Sequence, residues 1–130
     1  MAMNDTLAAA LSNILNAEQV GKGKCTTKPV SKMTIKVLDI MKAHKYIGDY
    51  KTIDDGRGGI IEIELIGEIN NCGAIKPRFS VTKQTYEKFE KRFLPAKGFG
   101  IIIVSTPHGI MTLDEAKEKG VGGKLIAYIY

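Results

Sequence analysis

Residues 101–109 read IIIVSTPHG, and this stretch predicts the central strand of the second half of the chain and the loop that follows it. Ile101 to Val104 is the strongest apolar run in the sequence, which predicts a fully buried strand. The strand is expected to stop at Ser105, where Ser105 to Gly109 form a loop of small hydroxyls, a Pro, a His and a Gly. Because this loop follows a buried strand, we expect its side chains to be presented on a nearly rigid frame.

Shorter elements surround this strand. Downstream, Thr112 and Glu115 have the spacing of a capping box and predict a short helix, which Gly120 can end in a left-handed conformation. Upstream, aromatic residues recur at helical spacing. The second half is therefore predicted to contain a strand over Ile75–Thr82, a helix over Tyr86–Phe93, the buried strand, the capped helix and a closing strand over Lys124–Tyr130.

The first half has helical apolar stripes and a glycine-rich hairpin signal. Its predicted elements are a helix from Asn4 or Asp5 to Gly21, a strand over Lys24–Lys28, a helix from Pro29 or Ser31 to near His44, and strands over Tyr46–Ile53 and Gly59–Ile66.

A break in the hydrophobic pattern at Gly67–Gly73 marks the boundary between the two halves. The chain is therefore predicted to be an α+β protein of two small lobes. Residues 1–66 form an αβαββ lobe, and residues 67–130 form a mainly β lobe with short helices.

Composition points to a small globular protein with an excess of positive charge. The chain has 130 residues and a formal net charge of +5. Residues 1–66 carry 9 basic and 8 acidic residues, whereas residues 67–130 carry 10 and 6. Such an excess is typical of proteins that bind a polyanion, and it also occurs where lysines only keep a small protein soluble.

The spacing of cysteines and histidines excludes a metal site. Cys25 and Cys72 are far apart and belong to no Cys-x-x-Cys pair, and the sequence has 2 histidines. We therefore expect no metal, no cofactor and free thiols, as in a reducing compartment. The first fifteen residues carry no Lys or Arg, and no apolar run approaches about 20 residues. Neither secretion nor membrane spanning is expected.

Several groups of residues could indicate an enzyme, but none has the context that catalysis requires. Gly120–Lys124 resembles a phosphate-binding loop, yet a helix precedes it and a strand follows. Ser105 and His108 could be a nucleophile and a base, but no third member of a triad can be named. His44 at a helix end, and the Asp54–Asp55 pair beside Gly56, are explained by capping and by a turn.

Binding to RNA is better supported than catalysis. Small hydroxyls beside Lys and Arg suit the shallow minor groove of A-form RNA, which exposes 2′-hydroxyls. Lys32, Arg78 and Lys124 could then contact phosphates. The alternative is that Ser105 and Thr106 only satisfy backbone groups where the strand ends.

The sequence resembles the small-subunit ribosomal protein eight family over essentially its full length. The resemblance includes Asp5–Leu7, Pro29–Lys32, Tyr46–Gly48, Asp55–Arg57, Cys72–Phe79, Gly98–Ile101, Val104–Met111, Glu115–Ala116, Gly120–Lys124 and Tyr128–Tyr130. Asn71–Phe79 and Phe93–Ala96 resemble the archaeal or eukaryotic branch. Bacterial members usually carry a Ser or Thr-Ser-Lys-Gly version of the loop that here reads Ser105–Gly109.

The resemblance implies a primary rRNA-binding protein that docks on the central domain of small-subunit rRNA, orders it during assembly and has no enzymatic activity. It also implies neighbouring ribosomal proteins as partners, a monomer outside the ribosome and a cytoplasmic location. Carried over by position, the implied RNA-binding residues are Ser105, Thr106, Pro107, His108, Gly109, Gly122, Gly123, Lys124, Ser31, Lys32, Asn4, Asp5 and Thr6. Analogy and charge add Arg78 and Tyr86, although either residue could instead be purely structural. The competing hypothesis is a nucleotide-binding module or small enzyme that uses Ser105, His108 and Gly120–Lys124.

Overall fold

The computed structural model describes residues 6–27, 30–54, 56, 58–75, 80–82, 85–95 and 99–130. The chain divides into two compact units, residues 1–71 and 72–130. No helix in the described ranges is long and apolar enough to cross a membrane.

The first unit has the predicted αβαββ order. Its helices are α1 (Thr6–Gln19) and α2 (Lys32–Ala43), and its strands are β1 (Lys24–Thr27), β2 (Ile47–Ile53) and β3 (Ile60–Leu65). The strands form an antiparallel sheet in the order β1–β3–β2. Both helices contact this sheet, α1 at β1 and α2 at β2. The apolar stripe of α1 and two fully buried isoleucines of β3 form much of the core: Leu7, Leu11, Ile14, Ile61 and Ile63.

Local signals set the ends of these elements. Gly21 follows α1 with a φ of 76°, a left-handed conformation that favours glycine. The hairpin between β2 and β3 is confirmed, and the Asp54 carboxylate accepts a hydrogen bond from the Gly56 N–H at 2.9 Å. His44 is the C-cap of α2, as predicted.

Ser31 is the N-cap of α2. Its hydroxyl oxygen accepts the Thr34 N–H at 3.1 Å and donates to the Thr34 hydroxyl at 2.7 Å. Because an N-cap satisfies a helix N–H that would otherwise lack a partner, we expect Ser31→Ala to lower the free energy of unfolding by about 1 kcal/mol. Urea denaturation measures this, with Ser12→Ala on the exposed side of α1 as the control. Equal effects of the two substitutions would contradict the capping role.

The second unit is the predicted mainly β unit. Its elements are β4 (Cys72–Ala74), β5 (Ser80–Val81), α3 (Tyr86–Phe93), β6 (Ile101–Thr106), β7 (Gly109–Thr112), α4 (Leu113–Lys119) and β8 (Gly123–Ile129). The sheet has the order β4–β8–β6–β7, and β5 also pairs with β8. The α+β fold class is therefore confirmed.

One predicted strand differs from the structure. Of the strand predicted over Ile75–Thr82, the structure has Ile75 outside any strand, just after β4, and a strand only at β5, Ser80–Val81. Residues 76–79 lie outside the described ranges. β4 and β5 pair with β8 at separate positions, Ala74 opposite Ala127 and Ser80 opposite Lys124. Ile75 is buried at 1% exposure, and its N–H donates to the Ile126 carbonyl at 2.9 Å, so its apolar side chain reflects a place in the core and not the start of a strand.

One face of this sheet packs on α3 and α4. Thr112 caps α4 by accepting the Glu115 N–H at 3.2 Å, and Gly120 ends it with a φ of 69°, both as predicted. The core beneath the helices consists of residues from every part of the unit, among them Ile75, Val81, Phe89, Ile102, Val104, Met111, Leu113 and Leu125.

Candidate nucleic-acid interface

The candidate site begins at the hairpin between β6 and β7. Ser105 is opposite Ile110 and Thr106 is opposite Gly109, so Pro107 and His108 are the two turn residues, and both are exposed. The predicted strand end at Ser105 is therefore wrong, because β6 continues to Thr106. Polar side chains do not prevent the backbone from pairing, so the strand ends only where Pro107 removes an N–H donor.

Thr106 lies on the core face of β6, as Ile102 and Val104 do at steps of two residues. It is 9% exposed. Its hydroxyl donates to the Gly109 carbonyl at 2.9 Å and accepts the His108 N–H at 3.1 Å. The Thr106 hydroxyl therefore stabilises the turn by bonding two backbone groups of the residues that follow it.

Ser105 lies on the opposite face and belongs to a row of residues across four strands. It is opposite Ile110 of β7 and Lys124 of β8, and Lys124 is opposite Ser80 of β5. Directly opposed residues of antiparallel strands point to the same face, about 5 Å apart. In the row Ile110–Ser105–Lys124–Ser80, the Lys124 ammonium therefore has one hydroxyl on each side, that of Ser105 and that of Ser80.

The polar groups of this row are available to a ligand. Lys124 and Ser80 are exposed and Ser105 is half-buried. Within the described ranges, no residue forms an ion pair with Lys124 or a hydrogen bond with the Ser105 hydroxyl. Ser80 was not among the predicted site residues, because a strand of two residues leaves no periodic signal in the sequence.

Gly122 and Gly123 allow three backbones to approach closely beside the row. A Cβ on Gly123 would lie 2.1 Å from the Ser105 carbonyl oxygen, and a Cβ on Gly122 would lie 2.4 Å from the Val81 carbonyl oxygen. Neither oxygen belongs to a flexible side chain that could move away. The two glycines are therefore required for the spacing between β5, β8 and β6.

Tyr86, another predicted site residue, lies in the core at 2% exposure. Its hydroxyl is buried and finds no hydrogen-bond partner in the described part of the chain. Burial raises the pKa of this hydroxyl, while the nearby Lys117 ammonium, 5.9 Å from the ring centroid, acts to lower it. Lys117 also forms an ion pair with Glu90.

The predicted site residues of the first unit occupy helix starts. Thr6 begins α1, and Lys32 is the first residue of α2 after the Ser31 cap. The Ser31 hydroxyl is occupied by Thr34, whereas Lys32 is exposed. Asn4, Asp5, Arg78 and the Thr6 side chain lie outside the described residues.

The segment that resembles a phosphate-binding loop has the opposite chain order. α4 precedes Gly120, and β8 begins at Gly123. A phosphate-binding loop follows a strand and opens a helix, so that helix N–H groups point at the phosphate. This geometry gives no support to the nucleotide-binding alternative.

A comparison with known protein families identifies the family of this chain. The family model described as ribosomal protein S8 matches residues 5–130. The chain belongs to the ribosomal protein S8 family. S8 proteins are structural proteins of the small ribosomal subunit, so the chain acts in translation, and rRNA and other ribosomal proteins are its partners. The resemblance found in the sequence is therefore confirmed at the level of the S8 family.

A substitution of Thr106 tests its structural role in the turn directly. Thr106→Val keeps the size of the side chain but leaves the His108 N–H without its acceptor. We expect the free energy of unfolding to fall by about 1–2 kcal/mol, measured by urea denaturation. Thr52→Val, on the exposed side of β2, is the control. Unchanged stability of the Thr106 variant would contradict the assigned role.

Proposed function

We propose that this chain is a primary rRNA-binding protein that docks on the central domain of small-subunit rRNA and orders it during assembly. The observation that supports this proposal is the juxtaposition of Ser105 and Lys124, which are directly opposed on β6 and β8 beside the Pro107–His108 turn. The mainly β lobe, residues 67–130, carries the principal RNA-binding surface.

Each part of the row suits a different part of an RNA helix. The Lys124 ammonium contacts a phosphate, which contributes affinity without reading sequence. The Ser105 hydroxyl bonds a base edge or a 2′-hydroxyl in the shallow minor groove. Because the sheet holds both residues in register, little conformational freedom is lost on binding. The exposed turn residues Pro107 and His108 extend this surface beyond the strand ends.

The first lobe adds contacts to the RNA backbone. Lys32 stands at the N-terminus of α2, where helix N–H groups and the helix dipole favour a phosphate. Ser31 supports this contact by capping the helix and not through its own hydroxyl. We expect Lys32→Ala to weaken binding less than Ser105→Ala does, in a filter-binding assay at one salt concentration. The reverse order would assign the main surface to the first lobe.

The remaining features of the proposal follow the resemblance of the sequence. The chain is a member of the archaeal or eukaryotic type, it is a monomer outside the ribosome, and it acts in the cytoplasm without enzymatic activity.

The dependence of binding on salt tests the phosphate contact of Lys124. Log affinity should fall linearly with log salt, with a slope of roughly −0.7 to −0.9 per neutralised phosphate. Lys124→Ala should reduce the magnitude of the slope by about 1. Lys119→Ala, an exposed lysine of the same unit, is the matched control and should leave the slope unchanged. If Lys124→Ala and Lys119→Ala both had the same slope as the unmodified chain, Lys124 would not be a phosphate contact.

A further inference from the structure

β1 is one of the two edge strands of the sheet in the first unit. In the strand order β1–β3–β2 it pairs with β3 alone among the described strands. An edge strand presents a row of backbone N–H and C=O groups that can pair with another chain. A groove of about 680 Å³ lies along this edge.

The alternation of hydrogen-bonded and non-bonded pairs along the β1–β3 ladder shows which residues of β1 point their backbone groups outward. The Leu65 N–H donates to the Gly23 carbonyl at 2.9 Å. Because bonded and non-bonded pairs alternate along an antiparallel ladder, Cys25 and Thr27 bond β3, at Ile63 and Ile61. Lys24 and Thr26 therefore direct their N–H and C=O groups toward the open edge.

The lining of the groove has the composition of a strand-binding site. Lys24 and Thr26 lie on the outer face of β1 and Cys25 on its inner face, and all three line the groove. The groove therefore extends around the edge from one face of the sheet to the other. The second wall is a stripe at helical spacing, which consists of Asn13, Asn16 and Ala17 of α1 and of Val20 just beyond its end. Val20 is 69% exposed, so the described residues leave this apolar side chain open to a ligand in the groove.

The two sides of the edge differ in chemistry. The lining holds Lys24 and Glu62 from the outer face of the sheet and Lys22, which precedes β1. The Glu62 carboxylate lies 3.8 Å from the Lys24 ammonium and 3.7 Å from that of Lys51, and Glu64 is opposite Lys24 in the ladder. Lys22, Lys24 and Lys51 therefore face two glutamates, which leaves an excess of one positive charge. On the inner face, Ala17, Val20 and Cys25 offer apolar groups beside the amides of Asn13 and Asn16. A strand laid along β1 would meet cations on one side and apolar groups on the other, with a period of two residues.

We propose that the edge of β1 binds an extended acidic segment of a neighbouring protein by strand addition. Acidic side chains alternate with small apolar ones in this segment, the acidic ones toward Lys22 and Lys24 and the apolar ones toward Ala17 and Val20. Main-chain bonds to Lys24 and Thr26 supply affinity, and the alternation supplies specificity. This surface shares no residue with the proposed rRNA-binding row, so it adds to the proposed function and does not depend on it.

The test uses the full chain and a capped ten-residue peptide that alternates Glu and Val. We expect saturable binding, together with slower hydrogen exchange at the amides of Lys24 and Thr26. A peptide that alternates Lys and Val should bind at least about tenfold more weakly, because it places like charges beside Lys22 and Lys24. Absence of saturable binding by the acidic peptide up to millimolar concentration would overturn the proposal.

Two variants locate the binding at the edge of β1. Thr26→Pro removes an outward N–H, which an edge strand tolerates, and should weaken peptide binding at least about tenfold. Thr26→Val keeps this N–H and should bind as the unmodified chain does. If the proline variant loses its fold, Lys24→Glu gives the same test by reversing one charge. Binding that Lys24→Glu leaves unchanged, or protection of the same amides by rRNA and not by peptide, would overturn the proposal.

Discussion

Replacing Gly123 with alanine is expected to lower the free energy of unfolding by about 3 kcal/mol or more. The added Cβ would lie 2.1 Å from the Ser105 carbonyl oxygen and 3.1 Å from a methyl group of Val104. Both neighbours belong to the buried strand β6, so the space can open only if two paired strands separate. Urea denaturation measures the loss, and thermal melting should show a fall of roughly 10 °C or more.

Gly23→Ala is the matched control for this substitution. A Cβ at Gly23 meets nothing within 4 Å, and the Leu65 bond to the Gly23 carbonyl is kept. We expect a change below about 0.5 kcal/mol. If Gly123→Ala were equally mild while rRNA affinity collapsed, Gly123 would act through direct contact with RNA and not through the spacing of the strands.

Ser105→Ala is expected to weaken rRNA binding by roughly five- to a hundredfold, with little change in melting temperature. Removing a hydroxyl that bonds the RNA leaves its partner unsatisfied, which costs about 1–3 kcal/mol. Stability should hold because the Ser105 hydroxyl bonds no described residue and its side chain is only half-buried, on the face of the sheet opposite α3 and α4. The measurement is affinity for a central-domain rRNA fragment beside a thermal melt of each variant.

Thr52→Ala, which also removes a hydroxyl from an exposed strand position, controls for a general effect of the substitution. It should change neither affinity nor stability. A loss of stability in Ser105→Ala, with unchanged affinity of the folded fraction, would assign Ser105 to the structure of the strand and contradict the proposed contact.

Much of the fold could be predicted because its signals are local. The cap pairs Ser31–Thr34 and Thr112–Glu115 are separated by three residues, and Gly21 and Gly120 end helices through their own backbone conformations. Each signal depends on the chemistry of one helical turn, which the sequence contains in full.

The candidate site was harder to predict because its geometry depends on pairing between distant residues. Ser105 and Thr106 look alike in sequence, yet the continuation of β6 by two residues directs them to opposite faces of the sheet. The partnership of Ser80 with Lys124 joins residues 44 positions apart in the chain. No local pattern reports such a register, and a strand of two residues is held by its partner alone.

The proposed function requires that the β6–β7 turn lies against the central domain of small-subunit rRNA. It is tested most directly by cleavage of the RNA from an iron chelate attached at His108→Cys. Burial, with a smaller contribution from Glu18, raises the pKa of the Cys25 thiol to about 11, and Cys72 is buried, so the new thiol is modified selectively at neutral pH. A chelate at Lys51→Cys in the first unit serves as the control. We expect cleavage from position 108 within one segment of the central domain, at sites absent from the control. Cleavage from position 108 outside the central domain, or none at all, would contradict it.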